Sequence, residues 1–248
     1  MQKQYLKLYK KFDEIRQRKW IKSMRKGPTG VGYTFESLLG KKEDNKSLPD
    51  YDEIEIKTMK YFSKKKIHLF NCSPESEDEQ IILKIVEKLG YPDREYPKYK
   101  VFHISINANN PTYLGYKKLR LIVNYRKKKI ELEAKTIFGT KININLFWSF
   151  QTMESIIMSK MKKLAIIKAC SKKINNEEYY YYTRIDFYEI KKFEEFVKLI
   201  EKGIITITFK IGIWKKEERF GQIHDRGTDF SIQEKDIELL YNKKNFYE

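Results

Sequence analysis

The chain has 248 residues, enough for one large domain or for two lobes that each bury a core. Its 51 Lys and Arg residues outnumber 34 Asp and Glu residues, and the formal net charge of +17 indicates a polyanionic partner, although a general bias toward Lys, Ile, Asn and Tyr also explains the excess. Two cysteines, Cys72 and Cys170, exclude a disulfide framework and a Cys/His metal site, and no signal peptide or membrane-spanning run is present, so we expect a cytoplasmic protein with no membrane partner.

The N-terminal part of the chain predicts two helices joined by a loop. Over residues 4–24, apolar side chains recur at three- and four-residue steps, which is typical of an amphipathic helix. These side chains are Tyr5, Leu8, Tyr9, Phe12 and Ile15. A turn-rich loop over residues 27–32 leads into a short helix over residues 33–39, which contains Glu36 and which Gly40 ends as a C-cap.

A predicted strand over residues 53–57 carries the residues that suggest chemistry. Because successive side chains of a strand point to opposite faces, Glu55 and Lys57 share one face and the two isoleucines beside them share the other. Asp50 precedes the strand in a loop, so a bend can bring its carboxylate close to Glu55. Magnesium prefers oxygen ligands from one or two carboxylates, water and phosphate. The pattern therefore predicts Mg2+ on Asp50 and Glu55, with Lys57 beside an attacking water.

An Asp-x4-Glu-x-Lys string is weak evidence in a chain this rich in Lys and Glu. A second triplet, Glu133-Ala134-Lys135, lies in an equally strand-like run, but only Glu131 supplies an acidic residue shortly before it. We interpret this second triplet as an exposed strand face.

The two halves of the first segment together carry a more specific signal. The string TGVGYTFESLLG at residues 29–40, followed by LPDYDEIEIKT at residues 48–58, resembles the signature of the MvaI/BcnI family of type II restriction endonucleases, relatives of the mismatch-repair nickase MutH. The resemblance implies that Asp50, Glu55 and Lys57 are the metal-binding and catalytic residues. It also implies that Glu36 is an additional acidic residue of the active site.

The middle of the chain predicts a mixture of strands and helices. A strand over residues 67–70 is expected to join the catalytic sheet, and a capping-box pattern at Ser76 and Glu79 opens a core helix that ends at Gly90. Four more strands are predicted over residues 101–106, 119–125, 129–137 and 141–147. A helix is predicted over residues 152–169, and the tyrosines at 179–182 are expected in the core, with base stacking as the alternative.

The C-terminal region predicts a helix closed by Gly203, a strand over residues 204–212, and a turn-containing segment, GQIHDRGTDFSI, at residues 221–232. This region resembles the sequence-reading segment of the same family, a strand of the type D-I-R-I-G and a turn of the type H-D-H-G-T-G-F-R. The resemblance implies DNA contacts from residues of the strand and the turn. These residues are Thr208, Lys210, His224, Asp225, Arg226 and Ser231.

Several positions of this segment depart from the family pattern. Thr208 stands in place of Asp, Lys210 in place of Arg, Arg226 in place of the second His, Asp229 in place of Gly, and Ser231 in place of Arg. Because Arg presents a planar fork to guanine whereas Lys presents one ammonium group, we expect a target that differs from the C/G pentamers of the family.

Together these features predict an α/β fold, a restriction-endonuclease-like mixed sheet flanked by helices, with a catalytic lobe over residues 1–110 and a DNA-recognition lobe over residues 111–248. The predicted function is Mg2+-dependent hydrolysis of phosphodiester bonds at a short specific site in double-stranded DNA. The resemblance further implies a monomer and a cognate DNA methyltransferase in the host. Two alternatives stay open, a MutH-like strand-nicking repair endonuclease and a non-catalytic DNA-binding protein.

Overall fold

The structure is a computed structural model that describes residues 3–40 and 49–245. Leu48, which begins the second half of the motif, lies outside the described residues. The helices are α1 (Lys3–Gln17), α2 (Gly30–Leu38), α3 (Ile81–Leu89), α4 (Phe150–Lys160), α5 (Phe193–Glu201) and α6 (Ile237–Leu240). The strands are β1 (Ile21–Lys22), β2 (Ile54–Lys60), β3 (Ile67–Asn71), β4 (Tyr91–Pro92), β5 (Lys100–Ile106), β6 (Thr112–Leu114), β7 (Lys117–Asn124), β8 (Lys129–Thr136), β9 (Phe147–Ser149), β10 (Lys163–Ile174), β11 (Glu177–Ile190), β12 (Thr206–Ile213), β13 (Ile223–Ile232) and β14 (Tyr241–Lys244).

The chain forms two compact units, and the first comprises residues 1–65, 156–191 and 238–248. Its five-stranded sheet has the order β1-β11-β10-β2, and β14 also pairs with β11. Strands β2 and β10 are parallel, whereas β10 and β11 are antiparallel. The last strand on this path, β2, therefore pairs with one strand, β10, among the described residues.

Helix α1 packs on this sheet through the apolar stripe that the sequence predicts. Tyr5, Leu8, Phe12 and Ile15 are buried in one hydrophobic cluster with side chains of β2, β10 and β11, and Tyr9 packs against it. The helix ends at Gln17, earlier than the predicted residue 24. Lys19 takes a positive φ of 58°, which a right-handed helix does not accommodate.

Strand β10 corrects the prediction of a helix over residues 152–169. Only the first part of that stretch is helical, because α4 ends at Lys160 and β10 begins at Lys163. The residues from Leu164 to Ala169 are all buried between β2 and β11. A strand that is buried on both faces has a continuous apolar sequence, so periodicity alone does not distinguish it from a buried helix.

The second unit comprises residues 66–155 and 192–237. One of its sheets has the order β3-β13-β12-β5-β4, and the other is the meander β6-β7-β8-β9. The prediction that residues 67–70 join the catalytic sheet is wrong, since β3 pairs with β13. Of the predicted strand over residues 141–147, only Phe147 lies in β9. Both differences from prediction depend on strands that pair across long distances in sequence, and a local sequence pattern does not identify such partners.

The helices of the second unit follow the predicted apolar stripes. Helix α3 buries Ile81, Ile85, Val86 and Leu89, and α5 buries Phe193, Phe196 and its aliphatic positions. The predicted capping box is wrong, because α3 begins after Gln80 with no side-chain cap, and the Ser76 hydroxyl instead accepts a hydrogen bond from the Asp78 amide.

Both units are discontinuous in sequence, because β10 and β14 return the chain to the first sheet. The expected lobe boundary at residue 110 falls inside the second unit. Both cysteines are free thiols. No helix within residues 3–40 and 49–245 combines the length and the apolar character needed to cross a membrane.

Candidate active site

Strand β2 places Glu55 and Lys57 together at the edge of the first sheet. Ile54 and Ile56 point into the core of the unit, so the alternating side chains between and after them project to the other face. The Lys57 ammonium lies 2.6 Å from Glu55 Oε1. A carboxylate and an ammonium group therefore share one position on the sheet edge, as the strand pattern predicts.

The Glu55 carboxylate is buried, with only 2% of the residue exposed. Burial raises the pKa of this carboxyl, the charge of Asp50 raises it further, and the nearby Lys57 ammonium only partly opposes the shift. The second oxygen, Oε2, is buried and has no hydrogen-bond partner within the part of the chain that the structure describes. An unsatisfied buried carboxylate oxygen is costly to the fold and is typical of a group that awaits a ligand.

A tight turn brings Asp50 back to the strand. The backbone amides and carbonyls of Tyr51 and Ile54 bond to each other, and the two residues between them, Asp52 and Glu53, have positive φ values of 41° and 70°. Such conformations cost roughly 1–3 kcal/mol each in residues other than glycine and persist where the surroundings hold them in place. Within this turn geometry, Asp50 Oδ2 accepts a hydrogen bond of 3.0 Å from the Ile56 amide.

Two ion pairs hold the turn from outside. Lys7 of α1 lies 2.6 Å from the Asp52 carboxylate, and Lys163 of β10 lies 2.8 Å from the Glu53 carboxylate. The first of these pairs is exposed and adds little stability. Lys163 is largely buried, so its contact with Glu53 fixes the turn to the neighbouring strand more firmly.

Glu36 lies on α2, a different element from the turn and strand that carry Asp50 and Glu55. Among the described residues, no set of three or more His, Cys, Asp or Glu side chains is placed to hold a metal ion. The Glu36 charge instead acts on Tyr182, a buried tyrosine of β11 whose hydroxyl donates to the Val31 carbonyl at 2.9 Å. The carboxylates that come together are thus Asp50 and Glu55.

Lys160 is a neighbour of Glu55 that the sequence patterns did not indicate. It is the last residue of α4, and its ammonium lies 3.7 Å from Glu55 Oε1. Its side chain is about as exposed as that of Lys57. Because Lys160 is distant in sequence from residues 50–57 and belongs to no motif, only the packing of α4 reveals it.

In the second unit, β12 and β13 present the predicted DNA-contacting residues. Lys210 and Arg226 line a groove of about 220 Å³ together with His103, Arg94 and Lys215. His103 lies directly opposite Lys210 on the neighbouring strand β5. Most of the ionisable side chains of this groove are basic, which favours an anionic ligand.

The turn residues of β13 are held by local contacts. The His224 ring stacks on Trp214, with ring centroids 3.7 Å apart and an interplanar angle of 8°. The Arg219 guanidinium also lies over Trp214, 5.0 Å from its ring centre. The Asp225 carboxylate accepts a hydrogen bond of 2.9 Å from the Gly227 amide. His224 is therefore presented in a fixed orientation.

Comparison with known proteins identifies the family. The profile of the MvaI/BcnI restriction endonuclease family matches residues 9–241, which is nearly the whole chain. The chain belongs to this family. It resembles the solved complex of restriction endonuclease MvaI with its cognate DNA substrate, with 27% identity, 98% of each chain covered and a TM-score of 0.89. It also resembles MvaI in the absence of DNA, with 26% identity, 98% of each chain covered and a TM-score of 0.63. No curated protein matches the chain.

Membership in the MvaI/BcnI restriction endonuclease family confirms the predicted α/β fold and the predicted activity. The chain is a type II restriction endonuclease that acts on DNA.

The competing Glu133-Ala134-Lys135 triplet lies on β8, where Glu133 pairs with Lys135 at 2.8 Å and with Arg120. These ion pairs, led by the bond to Lys135, lower the pKa of Glu133, in contrast to the buried Glu55.

Two of the six predicted DNA-contacting residues, Thr208 and Ser231, differ in how much of the side chain a ligand could reach. Thr208 Oγ1 lies 2.8 Å from the Ser105 hydroxyl, in an exposed cross-strand contact. Ser231 is buried, with 4% of the residue exposed. A hydroxyl at this depth presents almost no surface to a ligand, which separates Ser231 from the other five residues.

Proposed function

We propose that this restriction endonuclease hydrolyses phosphodiester bonds at a short specific site in double-stranded DNA and that it uses Mg2+ for the reaction. The observation that carries the proposal is the environment of Glu55. One of its oxygens pairs with Lys57, while the other is buried without a hydrogen-bond partner among the described residues. The nearby charge of Asp50 further disfavours the ionised carboxyl, and a divalent cation relieves both penalties.

The donor set fits magnesium. Two carboxylates and the oxygens of water and a DNA phosphate make up the shell that this hard cation prefers, and three protein carboxylates are not needed. Asp50 and Glu55 would hold the ion. When bound, the ion would polarise the phosphate and make a bound water more acidic.

The residues of the chain supply positioning and charge. Lys57, held by Glu55, has further N–H donors that can orient the attacking water and stabilise the negative charge that develops on the phosphate oxygens. Lys160, whose ammonium lies 3.7 Å from the same carboxylate oxygen, adds a second positive charge. We assign Glu36, which lies on α2, a role in supporting the metal or the lysine, because the resemblance implies that it belongs to the active site.

We further propose that β12 and β13 read the target sequence. Lys210 and Arg226 line one basic groove, His224 is fixed by its stack on Trp214, and Asp225 is oriented by the following glycine. Thr208 is half-buried on the same strand as Lys210. Side chains of these types donate to or accept from base edges in the major groove. Buried Ser231 is left out of this set.

The resemblance also supports a monomeric enzyme, located in the cytoplasm and paired with a cognate DNA methyltransferase that protects the host site. Two unpaired cysteines agree with a reducing compartment. Sedimentation of the protein with and without a bound duplex tests the monomer, because a dimer on DNA has twice the mass of protein per duplex.

The central test is digestion of unmethylated plasmid and phage DNA with Mg2+. We expect discrete fragments from the wild-type chain and none from Lys57→Ala. The matched control is Lys135→Ala, which removes the lysine of an equally spaced Glu-x-Lys triplet from an exposed strand, and we expect it to cut normally. Equal activity in Lys57→Ala contradicts the assignment. Accumulation of nicked circles without linear product supports the strand-nicking alternative.

A further inference from the structure

The β3-β13-β12-β5-β4 sheet of the second unit has one apolar and one polar face. Ile207, Phe209 and Ile211 of β12 are buried in the core, so Thr206, Thr208 and Lys210 point to the opposite face. Lys66 reaches the same face, where its ammonium donates to Thr206 Oγ1 at 2.6 Å.

Asp229 is an acidic residue in the centre of this polar face. It lies on β13, directly opposite Thr208 of β12 and Asn71 of β3. One oxygen, Oδ1, lies 3.0 Å from His68 Nδ1, and the other, Oδ2, lies 3.5 Å from the Lys210 ammonium. Asp229 therefore contacts one basic side chain on each of the two neighbouring strands.

This carboxylate is mostly buried, with 13% of its side chain exposed. Burial raises its pKa, but His68 and Lys210 outweigh burial and leave the pKa below its ordinary value. Asp229 is therefore an ionised group held between basic side chains, and removing its charge leaves the Lys210 ammonium without this partner.

We propose that Asp229 is a positioning residue for sequence recognition, which fixes the Lys210 ammonium for contact with one base pair of the target. This inference rests on the proposed function, in which Lys210 reads a base edge. Asp229 makes no contact with DNA in this role, because both of its oxygens face basic side chains of the protein.

The chemistry of lysine explains why such an anchor is needed. An arginine has a planar fork that sets its own direction, whereas a lysine ammonium is a point charge at the end of four flexible carbons. A contact with a buried carboxylate restricts that chain to one arrangement and leaves N–H donors directed away from Asp229. Lys210 and Asp229 are both departures from the pattern that this segment resembles, and they contact each other.

The test compares binding and cleavage of the mapped target duplex with duplexes that carry one changed base pair. For Asp229→Asn, which keeps the shape and removes the charge, we expect about a tenfold loss of preference at a single base-pair position. Lys210→Ala is expected to lose preference at the same position. The double variant is expected to be no less selective than Lys210→Ala alone, because the carboxylate acts through the lysine.

The matched control is Asp186→Asn in the first unit. That aspartate is equally buried, with 13% of its side chain exposed, and it also pairs with two basic residues, Arg184 and Lys243. We expect the control to keep the wild-type preference at every position. Thermal unfolding of all variants separates a loss of selectivity from a loss of folding. If Asp229→Asn has a markedly lowered unfolding temperature, Asp229→Ser, which has a smaller side chain, replaces it.

Three outcomes overturn the inference in distinguishable ways. If Lys210→Ala loses selectivity and both Asp229 variants keep it, Asp229 does not position the lysine and the proposed base-reading surface stands. If Lys210→Ala itself keeps the wild-type preference, the assignment of Lys210 as a base-reading residue fails and the inference fails with it. A uniform loss of binding to all duplexes, with a lowered unfolding temperature, also overturns it, since that result indicates a purely structural role.

Discussion

Replacing Glu55 with Gln separates the effect of the buried carboxylate on folding stability from its role in cleavage. Gln has nearly the same shape as Glu and can still accept a hydrogen bond from Lys57, but it carries no charge. In the absence of metal, the ionised Glu55 is unfavourable, because burial raises its pKa more than its neighbouring lysines lower it. We therefore expect Glu55→Gln to increase the free energy of unfolding while it abolishes cleavage.

The size of this increase in the free energy of unfolding depends on two opposing terms, the cost of burying the Glu55 carboxylate and the ion pairs that offset that cost. Burying an ionised carboxylate costs several kcal/mol, and Lys57 at 2.6 Å and Lys160 at 3.7 Å offset most of this cost. A residual penalty of about 1 kcal/mol shifts the unfolding temperature of a chain of this length by roughly 2–4 °C. We expect a rise of that order in Glu55→Gln.

The gain in folding stability of Glu55→Gln over the wild-type protein depends on pH in a defined direction. Because the pKa of Glu55 is raised in the folded state, the folded wild-type protein binds this proton more tightly than the unfolded chain does. Wild-type stability therefore falls as pH rises from the unfolded value near 4.5 through the folded pKa. The advantage of the Gln variant is absent below that window and complete above it.

The assay is thermal unfolding with EDTA and with Mg2+ over a series of pH values. A metal that binds only the folded state stabilises it by about 2.7 kcal/mol when its concentration is a hundredfold above its Kd. Mg2+ is expected to raise the unfolding temperature of the wild-type protein but not of Glu55→Gln. The control, Glu133→Gln, alters a carboxylate in the other Glu-x-Lys triplet, and its change is expected within about 0.5 kcal/mol.

Two results refute this reasoning. A lower unfolding temperature for Glu55→Gln in EDTA above the titration window means that the carboxylate stabilises the fold. An equal response of both proteins to Mg2+ means that Glu55 is not a ligand.

Three further predictions test other contacts. Lys160→Ala is expected to slow single-turnover cleavage about tenfold, less than Lys57→Ala, because its ammonium lies farther from the Glu55 carboxylate. Trp214→Ala is expected to weaken binding of the target duplex about three- to tenfold in equilibrium titrations, because His224 loses its stacking partner. Gly30→Ala is expected to destabilise the first unit by about 1–3 kcal/mol in denaturant unfolding, because the added Cβ would lie 2.5 Å from the Arg25 carbonyl oxygen.

The elements that the sequence predicts well are those whose pattern is local. The two-residue period of β2 places Glu55 beside Lys57, and the structure has that contact at 2.6 Å. The stripes of α1, α3 and α5 likewise predict their buried faces, since each helix turns one side toward a core whatever its partner is.

The incorrect predictions share a non-local cause. Residues 163–169 form a central strand because β2 and β11 cover both of its edges, and residues 67–71 join the second sheet because β13 pairs with them. Lys160 illustrates the same limit within the site. A motif identifies residue types, but the distance between Lys160 and Glu55 depends on where α4 ends.

The two Glu-x-Lys triplets have the same spacing and differ in burial, which is the property that favours the first as the proposed active site. In each triplet the lysine contacts the glutamate, at 2.6 Å for Lys57 and 2.8 Å for Lys135. Yet Glu55 is 2% exposed and has its pKa raised, whereas the Glu133 side chain is 30% exposed and has its pKa lowered. A divalent cation gains most from the first environment, where the carboxylate has lost its water and one oxygen has no protein donor among the described residues. Transfer of the Asp50 turn to the second triplet is therefore expected to produce no metal site, because Lys135 and Arg120 already pair with the partly exposed carboxylate there.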